Sequence, residues 1–395
     1  MKIAYLSISD PLNKKFWEGS VYYIAKALQA NGHEVELLGP VKPPKILDKF
    51  LRAIAKLNRI IFRREYLAKT NLLLSWYASR QFAKKLKGKD YDCICVPSEP
   101  SSAAFLKTDT PVIYITDTTF KLITNYYNEF RKIPFLSKIE GNILERKLLK
   151  KSKSIIYSSI WAAESAVHDY SVPTEKILIT PMGANIDVIP DKNCIFKKTE
   201  NKELTLLFYG EDWHRKGGDI AVETLKFLKI SHGLKSRLII CGCKPPAQSE
   251  ASNMEVYPFL NRNKKEDVDK LADLFSEAHF LFVPTRADCS LLSAAEANAY
   301  GVPAITTETG GVPEVVKDGI NGYCLPYSAS GNTYAALISE LFIDESRYRE
   351  LISLSRQHFE KNLNWNKWAE GFNELFEKNK NPKIPEIVPE ELHRV

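Results

Sequence analysis

Short apolar runs alternate with longer amphipathic segments along most of the chain. Apolar runs of about four to six residues are typical of buried parallel strands, and apolar residues that recur every three or four positions are typical of helices. Helical patterns such as Val21–Asn31 and Trp161–Tyr170 lie between some of the strand-like runs. The first series of strand-like runs is Ile3–Leu6, Glu34–Leu38, Cys93–Val96, Val112–Thr116, Ser154–Tyr157 and Ile177–Thr180.

A second series of strand-like runs follows the polar stretch Asp191–Glu203, which we interpret as a linker. This alternation predicts an α/β fold with two doubly wound parallel sheets and with ligands between the carboxyl ends of their strands. A chain of 395 residues is long enough for two domains, expected at residues 1–195 and 200–363. The second series is Leu204–Tyr209, Arg237–Cys241, Phe280–Val283 and Ala304–Thr307.

The cysteines and the N-terminal residues bear on the compartment. Seven cysteines are an odd number, and the spacing of the four in apolar runs fits neither a zinc site nor a disulfide framework. The N-terminal segment has no long apolar core, and no apolar run of about 18 residues occurs elsewhere. We therefore expect buried free thiols and a cytoplasmic protein. The four cysteines are Cys93, Cys95, Cys241 and Cys243.

Charge is divided unevenly between the two halves of the chain. Residues 1–195 hold 30 Lys and Arg against 19 Asp and Glu, whereas residues 196–395 hold 25 against 29. Residues 42–89 hold 14 of these basic residues, opposed only by Asp48 and Glu65. Within this segment, Lys45–Arg64 has the apolar spacing of a helix, and its cations include Lys49, Arg52, Lys56, Arg59 and Arg63.

Two interpretations of this basic helix remain open. Apolar residues with a basic rim suit a helix that lies on an anionic membrane surface. The same pattern also suits a helix that packs on its own domain and exposes its cations to water. Nucleic acid is a weaker third partner, because no recognised binding motif accompanies the charge.

The most informative segment is Val283–Pro326, in which a strand leads into a turn with Asp288 and then into a helix with Glu296. A second strand, a glycine pair and a short helix with Glu314 follow. Seven residues separate the first two acids and place both carboxylates beside a helix N-terminus, whose free N–H groups and positive dipole end suit a phosphate. The alternative is an ordinary βαβ corner with two solvated acids.

A second motif, Phe208–Leu228, places cations where a strand ends. The strand ends at Gly210, a loop carries Arg215 and Lys216, and Gly217-Gly218 opens a helix. Cations beside a helix N-terminus can neutralise a leaving diphosphate without a metal ion. The alternative is an exposed basic turn.

Together, the two motifs resemble the nucleotide-binding half of the retaining GT-B glycosyltransferases, the large family of glycosyl transferases group 1 with a Glu-x7-Glu motif. The first acid here is Asp288, and Ser290-Leu291 replaces the usual Phe-Gly. Lys216 matches the family pattern, whereas Glu211 takes the position of its usual Arg. The resemblance implies a GT-B fold of two Rossmann-like domains that face a central cleft, with a C-terminal crossover helix at residues 364–395 that rejoins the first domain.

The resemblance also implies roles for individual residues. Lys216, with Arg215 as a substitute for the missing Arg, would stabilise the departing diphosphate, while Asp288 would touch the donor sugar and Glu296 would bind the ribose. Asp117 stands near the strand end where many relatives carry an active-site His, so no His base is expected and Asp117 is itself a candidate catalytic residue. The remaining expected donor contacts are Gly210, Ser290, Leu291, Leu292 and Ser293, together with Gly19 and Ser20 in the first domain, which are alternatively a simple helix-opening turn.

Two other chemistries are excluded. Asp90-Tyr91-Asp92 resembles the metal-binding carboxylate pair of another sugar-transferase fold, but it precedes its strand and therefore lies at the end of the sheet away from the cleft. No Gly-x-Gly-x-x-Gly follows any strand-like run, which argues against a dinucleotide oxidoreductase.

We therefore expect a retaining transfer of a sugar from a nucleoside diphosphate donor to an acceptor hydroxyl, with no metal and no cofactor. The basic first domain suggests an anionic membrane surface as a partner and a lipid-linked or envelope-glycan acceptor. Two alternatives remain open. One is a sugar-nucleotide epimerase on the same fold, which needs no acceptor, and the other is a catalytically silent nucleotide-sugar-binding subunit.

Overall fold

Twelve strands form two parallel β-sheets among the residues that the computed structural model describes, 1–249 and 253–380. Each sheet has six strands and is built from one half of the chain, as the alternation of strand and helix patterns predicts.

The first sheet is buried on both faces, because alternate residues of its strands enter two different apolar clusters. In its third strand, Cys93 and Cys95 face one cluster, and Ile94 and Val96 face the other. Its strands are β1 (Lys2–Tyr5), β2 (Glu34–Leu37), β3 (Cys93–Pro97), β4 (Val112–Thr116), β5 (Ser154–Tyr157) and β6 (Ile177–Ile179), in the order β2-β1-β3-β4-β5-β6. Its helices are α1 (Ser20–Ala30), α2 (Lys45–Phe62), α3 (Leu72–Leu86), α4 (Phe120–Tyr126), α5 (Asn128–Arg131), α6 (Phe135–Lys151) and α7 (Ile160–Tyr170).

The second sheet follows the same plan. Its strands are β7 (Leu204–Tyr209), β8 (Ser236–Cys241), β9 (Met254–Tyr257), β10 (Phe280–Val283), β11 (Ala304–Thr307) and β12 (Gly322–Leu325), in the order β12-β11-β10-β7-β8-β9. Because β7 and β10 are parallel neighbours, the loops that follow them meet at one edge. Its helices are α8 (Gly218–His232), α9 (Lys265–Glu277), α10 (Leu292–Ala299), α11 (Val312–Val315), α12 (Gly331–Ile343) and α13 (Glu345–Asn362).

The last helix, α14 (Trp365–Lys380), returns to the first half of the chain. Trp368 and Phe372 are fully buried and share an apolar cluster with Tyr5, Val21 and Ile24 of β1 and α1. This helix lies within the range of the crossover helix expected at residues 364–395, and residues 381–395 lie outside the described residues.

Two elements differ from the sequence prediction. The sequence prediction does not include strands β9 and β12. Strand β9 lies at a sheet edge with exposed side chains, and β12 is short and begins with a glycine, so neither stands out as an apolar run. The stretch Asp191–Glu203 is not a free linker, because Lys198 is buried and its Nζ donates to the carbonyl oxygen of Tyr300 over 2.7 Å.

Helix α2 confirms the helical pattern of Lys45–Arg64 but packs on its domain through a narrow stripe. Leu51 and Asn58 are its buried side chains, whereas Ile46, Phe50 and Leu57 are exposed. Most of its apolar face is therefore uncovered by the rest of the chain that the structure describes. Across those same residues, no helix is long and apolar enough to cross a membrane.

Candidate active site

A buried ion pair lies where the second sheet presents its carboxyl ends. Nζ of Lys216, in the loop after β7, donates to Oδ2 of Asp288, in the loop after β10, over 2.5 Å. Nη1 of Arg215 lies 3.8 Å from the same oxygen. Burial raises the pKa of Asp288, but Lys216 and Arg215 outweigh it and hold this pKa below its ordinary value. The site therefore presents an ionised acid between two cations.

Glycines allow the loop after β7 to lie this close to its neighbours. A Cβ on Gly210 would lie 2.8 Å from Cγ of Lys216, and a Cβ on Gly217 would lie 2.0 Å from the carbonyl oxygen of Pro284. Gly217 is also the N-cap of α8 with a φ of 80°, a conformation that other residues adopt at a cost. A side chain at position 210 would collide with Lys216, and one at position 217 would collide with the backbone of Pro284 after β10.

Asp288 also fixes the turn before α10. Its Oδ1 accepts hydrogen bonds from the N–H groups of Leu291 over 2.8 Å and Ser290 over 3.3 Å. Leu291 has a φ of 36°, in a region that is strained for a residue with a side chain. The N–H groups of Ser290 and Leu291, two of the expected donor contacts, therefore donate to the Asp288 carboxylate.

Glu296 is buried in α10 and held by a cation from outside both motifs. Nη1 and Nη2 of Arg262 donate to Oε1 and Oε2 of Glu296, each over 2.8 Å. Nη1 also donates to the carbonyl oxygen of Asn185 over 3.0 Å, and Nε donates to the Tyr209 hydroxyl over 3.1 Å. Burial lowers the pKa of Arg262, but the Glu296 carboxylate outweighs it and raises this pKa well above its ordinary value. Both acids of the motif are paired, so the interpretation as two solvated acids is wrong.

A small cavity of about 70 Å³, here called the inner cavity, lies between Lys216 and Arg262. The Ser293 hydroxyl is buried, and among the described residues it has no hydrogen-bond partner. From the first half of the chain, Lys15 and Glu18 complete the wall. The other lining residues include Tyr209, Gly210, Glu211, Phe259, Leu292, Ser293 and Glu296.

A larger cavity of about 660 Å³, here called the outer cavity, lies on the other side of the ion pair. Asp288, Ser290 and Arg215 line one end of it, while Lys216 lines the inner cavity. Lys15, Glu18 and Glu211 line both, so the two cavities meet. Most of the remaining wall comes from the first half of the chain. Its aromatic side chains are Trp17, Tyr66, Tyr114, Phe120, Tyr127 and Phe130.

Asp117 lies in the wall of the outer cavity, just beyond the end of β4. Its Oδ2 accepts a hydrogen bond from Nε1 of Trp17 over 3.1 Å. Burial raises the pKa of Asp117 to about 6, against the opposing effect of the Trp17 hydrogen bond. A carboxyl group with this pKa changes its charge close to neutral pH.

Contacts between the two halves hold the cleft together. The Tyr126 hydroxyl accepts a hydrogen bond from the N–H of Asp288 over 3.0 Å and lies 2.7 Å from Oγ1 of Thr309. The Arg215 guanidinium lies over the Tyr127 ring at 4.7 Å from its centre. The position of Asp288 therefore depends on a tyrosine from the other half of the chain.

Gly19 and Ser20 do not line either cavity, which corrects their expected role. Ser20 is fully buried, and its Oγ accepts a hydrogen bond from Nδ2 of Asn185 over 3.2 Å. Gly19 is the N-cap of α1 with a φ of 92°. This loop opens a helix, and the preceding residues Lys14, Lys15, Trp17 and Glu18 line the cavities.

The structure places most of the expected site residues around the two cavities and adds others. Lys216, Gly210, Leu292, Ser293 and Glu296 line the inner cavity, whereas Arg215, Asp117, Asp288 and Ser290 line the outer one. Sequence reasoning missed Arg262, Tyr126 and Trp17, which lie in loops and at a helix end without a local motif. Within residues 1–249 and 253–380, no three His, Cys, Asp or Glu side chains group as a metal site would require.

Two family models match the chain in succession. A model described as Glycosyltransferase Family 4 matches residues 18–188, and a model described as Glycosyl transferases group 1 matches residues 191–358. A D-inositol 3-phosphate glycosyltransferase from Streptomyces bingchenggensis is 32% identical over 57% of this chain and 52% of its own length. The chain spans between about a fifth and three fifths of the length of the first curated relatives it matches.

Solved structures share the fold at low sequence identity. A sucrose-phosphate synthase from Thermosynechococcus elongatus superposes with a TM-score of 0.67 at 16% identity, over 96% of this chain and 99% of that one. The Anabaena protein HepE, in complex with UDP and glucose, superposes with a TM-score of 0.63 at 14% identity, over 95% and 100%. These likenesses confirm the expected GT-B fold of two Rossmann-like units.

Proposed function

We propose that this chain, which belongs to the glycosyl transferases group 1, transfers a glycosyl group from a nucleoside diphosphate sugar to an acceptor hydroxyl. The transfer retains the anomeric configuration and needs no metal ion. The observation that supports this proposal most is the ion pair of Lys216 and Asp288, which separates a cation-lined inner cavity from a large outer cavity.

The donor would bind with its diphosphate against Lys216 and the N–H groups of Leu292 and Ser293 at the start of α10. Fixed positive charge at a strand end and a helix N-terminus stabilises the negative charge that develops on a leaving diphosphate. Glu296 would accept hydrogen bonds from the ribose, because a carboxylate paired with Arg262 still has free lone pairs. Lys216 would therefore contact the diphosphate, and Arg262 would hold the carboxylate that binds the ribose.

The acceptor would bind in the outer cavity and attack from the side of the leaving group. The bond between the anomeric carbon and the diphosphate oxygen breaks, the bond to the acceptor oxygen forms, and the acceptor proton passes to the departing diphosphate. Arg215 and Lys216 neutralise the charge that accumulates there. Asp288 borders the outer cavity and holds Lys216, so it would orient the cation and contact the donor sugar.

An outer cavity of about 660 Å³ favours transfer over the epimerase alternative. An epimerase that alters its own donor has no use for a second site of this size beside the reacting group. The cations expected of an active enzyme are also present beside Asp288, which favours catalysis over a silent subunit.

The acceptor is proposed to belong to an envelope glycan or a lipid-linked glycan, reached at the surface of a membrane. The first half of the chain carries an excess of 11 basic over acidic residues, and the second half an excess of four acidic residues. An anionic leaflet attracts clustered Lys and Arg side chains.

The test is the release of nucleotide from a panel of nucleotide sugars, starting with UDP-glucose, with and without acceptor glycans. We expect one donor to give nucleotide release that rises with an acceptor, in the presence of EDTA as well as without it. Release of an altered free sugar without any acceptor would instead establish the epimerase. Binding without turnover of any donor would establish the silent subunit.

A further inference from the structure

Helix α2 carries three separate stripes along its length. One stripe, with Leu51 and Asn58, packs on the domain. The second stripe is apolar and exposed. Its residues are three, four or seven positions apart, so they lie on one face of the helix. A third is cationic, at spacings of three and four. The exposed apolar side chains are Ile46, Phe50, Leu57, Ile60 and Ile61, and the cations are Lys49, Arg52, Lys56 and Arg59.

The starts of α3 and α6 add further exposed apolar side chains next to the end of α2. A buried polar cluster joins these segments, since Oε1 of Glu140 in α6 accepts from Nδ2 of Asn71 over 3.0 Å and from the N–H of Leu72 over 3.3 Å. The N–H of Leu67 donates to Oγ of Ser137 over 3.1 Å. The exposed side chains are Leu73 and Trp76 in α3 and Phe135, Leu136 and Ile139 in α6.

We propose that these exposed side chains of α2, α3 and α6, here called the amphipathic rim, dock the protein on an anionic lipid surface. Apolar side chains would enter the boundary between headgroups and acyl chains, while the cationic stripe of α2 would meet the headgroups. Clustered cations beside an exposed apolar stripe select this partner, because two copies of the rim face to face would bring like charges together.

The rim also lies beside the lip of the outer cavity. The segment that follows α2 contributes Tyr66, Leu67, Lys69 and Thr70 to the wall of that cavity, whose other end is Asp288. Docking through the rim would therefore open the outer cavity toward the lipid surface. This consequence, that the acceptor is carried by a lipid, rests on the proposed function, whereas the docking itself does not.

The test is co-sedimentation of the full chain with vesicles of phosphatidylcholine, compared with vesicles in which part of this lipid is replaced by phosphatidylglycerol. We expect binding to the anionic vesicles that fades as salt is raised. Replacing Lys49, Arg52, Lys56 and Arg59 by Gln should lower the partition coefficient on the order of a hundredfold, since each cation near the surface contributes a several-fold factor. The double variant Leu57→Gln/Ile60→Gln should weaken binding to the same vesicles at high salt.

Matched controls lie on the second half of the chain. Lys226, Lys229, Lys235 and Lys265 are exposed and can be changed to Gln together, and Ile230→Gln/Ile343→Gln removes two exposed apolar side chains. Both control variants should bind the anionic vesicles as the wild type does. Equal binding to neutral and anionic vesicles, or equal loss in the rim and control variants, would overturn the proposal. So would a dimer in lipid-free solution that Leu57→Gln/Ile60→Gln abolishes, because a second copy would then cover the rim.

Donor chemistry is measured separately, so that the two proposals fail independently. Nucleotide release in solution without vesicles should be unchanged in the rim variants. The variant Lys216→Ala should lose nucleotide release and still sediment with anionic vesicles. Vesicle binding that persists without any turnover would support the rim and contradict the proposed function.

Discussion

The two halves of the molecule bring different chemistry to one cleft. The second half contributes two buried ion pairs, Lys216 with Asp288 and Arg262 with Glu296. The first half contributes aromatic side chains, among them Trp17 and Tyr127, and the buried acid Asp117. A diphosphate needs fixed charge, whereas a neutral acceptor is held by shape and by aromatic surface. This division of chemistry agrees with the proposal that the second half binds the donor and the first half binds the acceptor.

Among the variants that test this division, Lys216→Ala should have the largest effect on the rate of transfer. Loss of the cation between the two cavities should cost roughly 2–4 kcal/mol of transition-state stabilisation, about a hundredfold or more in rate. The measurement is steady-state nucleotide release, with circular dichroism to verify folding. Lys226→Ala, on the exposed face of α8, is the matched control and should leave the rate unchanged. A Lys216→Ala variant that turns over normally would remove this residue from the mechanism.

A smaller effect, on binding rather than rate, should follow from Glu296→Gln. The amide keeps the shape of the side chain but weakens the hydrogen bonds to the ribose, so nucleotide affinity should fall by about 1–3 kcal/mol. Calorimetric titration with a nucleoside diphosphate measures this. Glu277→Gln, whose carboxylate pairs with Arg237 at the start of β8 and so at the opposite edge of the sheet, is the control. Unchanged affinity in Glu296→Gln would mean that the ribose lies elsewhere.

The first half should impose a pH dependence through Asp117. Since its pKa is raised to about 6 by burial, the ionised form that can accept a hydrogen bond from an acceptor hydroxyl is lost as pH falls through that value. The rate of transfer should fall about tenfold for each pH unit below 6. In Asp117→Asn, whose side chain cannot ionise, the profile between pH 5 and 7 should become flat at a reduced rate, because an amide holds the acceptor hydroxyl less strongly than a carboxylate. A wild-type profile that keeps its slope in Asp117→Asn would assign the titration to another group.

The smallest effect should come from Tyr126→Phe, which tests the contact between the halves. Removing the hydroxyl leaves the N–H of Asp288 without its partner from the first half, at a cost of about 0.5–1.5 kcal/mol. Transfer should slow two- to tenfold, roughly the equivalent of that free energy. Tyr22→Phe serves as the control, because Tyr22 is not among the residues that line either cavity. Equal rates in the two variants would show that Asp288 is positioned by the second half alone.

Much of the fold could be predicted from the sequence because it rests on local patterns. Buried parallel strands read as apolar runs, and Leu204–Tyr209, Phe280–Val283 and Ala304–Thr307 have the predicted bounds. Strand β9 was not predicted, because an edge strand need not be apolar. The burial of Lys198 was not predicted, because nothing in a polar stretch distinguishes a lysine that will be buried against Tyr300.

The site residues that the sequence predicted also lie in local patterns, whereas the residues that it missed do not. Asp288, Glu296 and Lys216 belong to contiguous motifs whose spacing is set by one loop and one helix turn. Arg262 and Tyr126 reach the site from segments with no pattern of their own, and only the packing of the two halves brings them there. Spacing alone could not show that the N–H groups of Ser290 and Leu291 donate to the Asp288 carboxylate.

The division between a charged donor half and an aromatic acceptor half is tested most directly by nucleotide titration of three proteins side by side. Uridine, guanosine and adenosine diphosphates are titrated into the wild type, Glu296→Gln and Phe130→Ala, with heat as the readout. Phe130 lines the outer cavity. We expect one nucleotide to bind the wild type, to bind Glu296→Gln more weakly, and to bind Phe130→Ala with unchanged affinity. Loss of nucleotide affinity in Phe130→Ala, with full affinity in Glu296→Gln, would contradict the division.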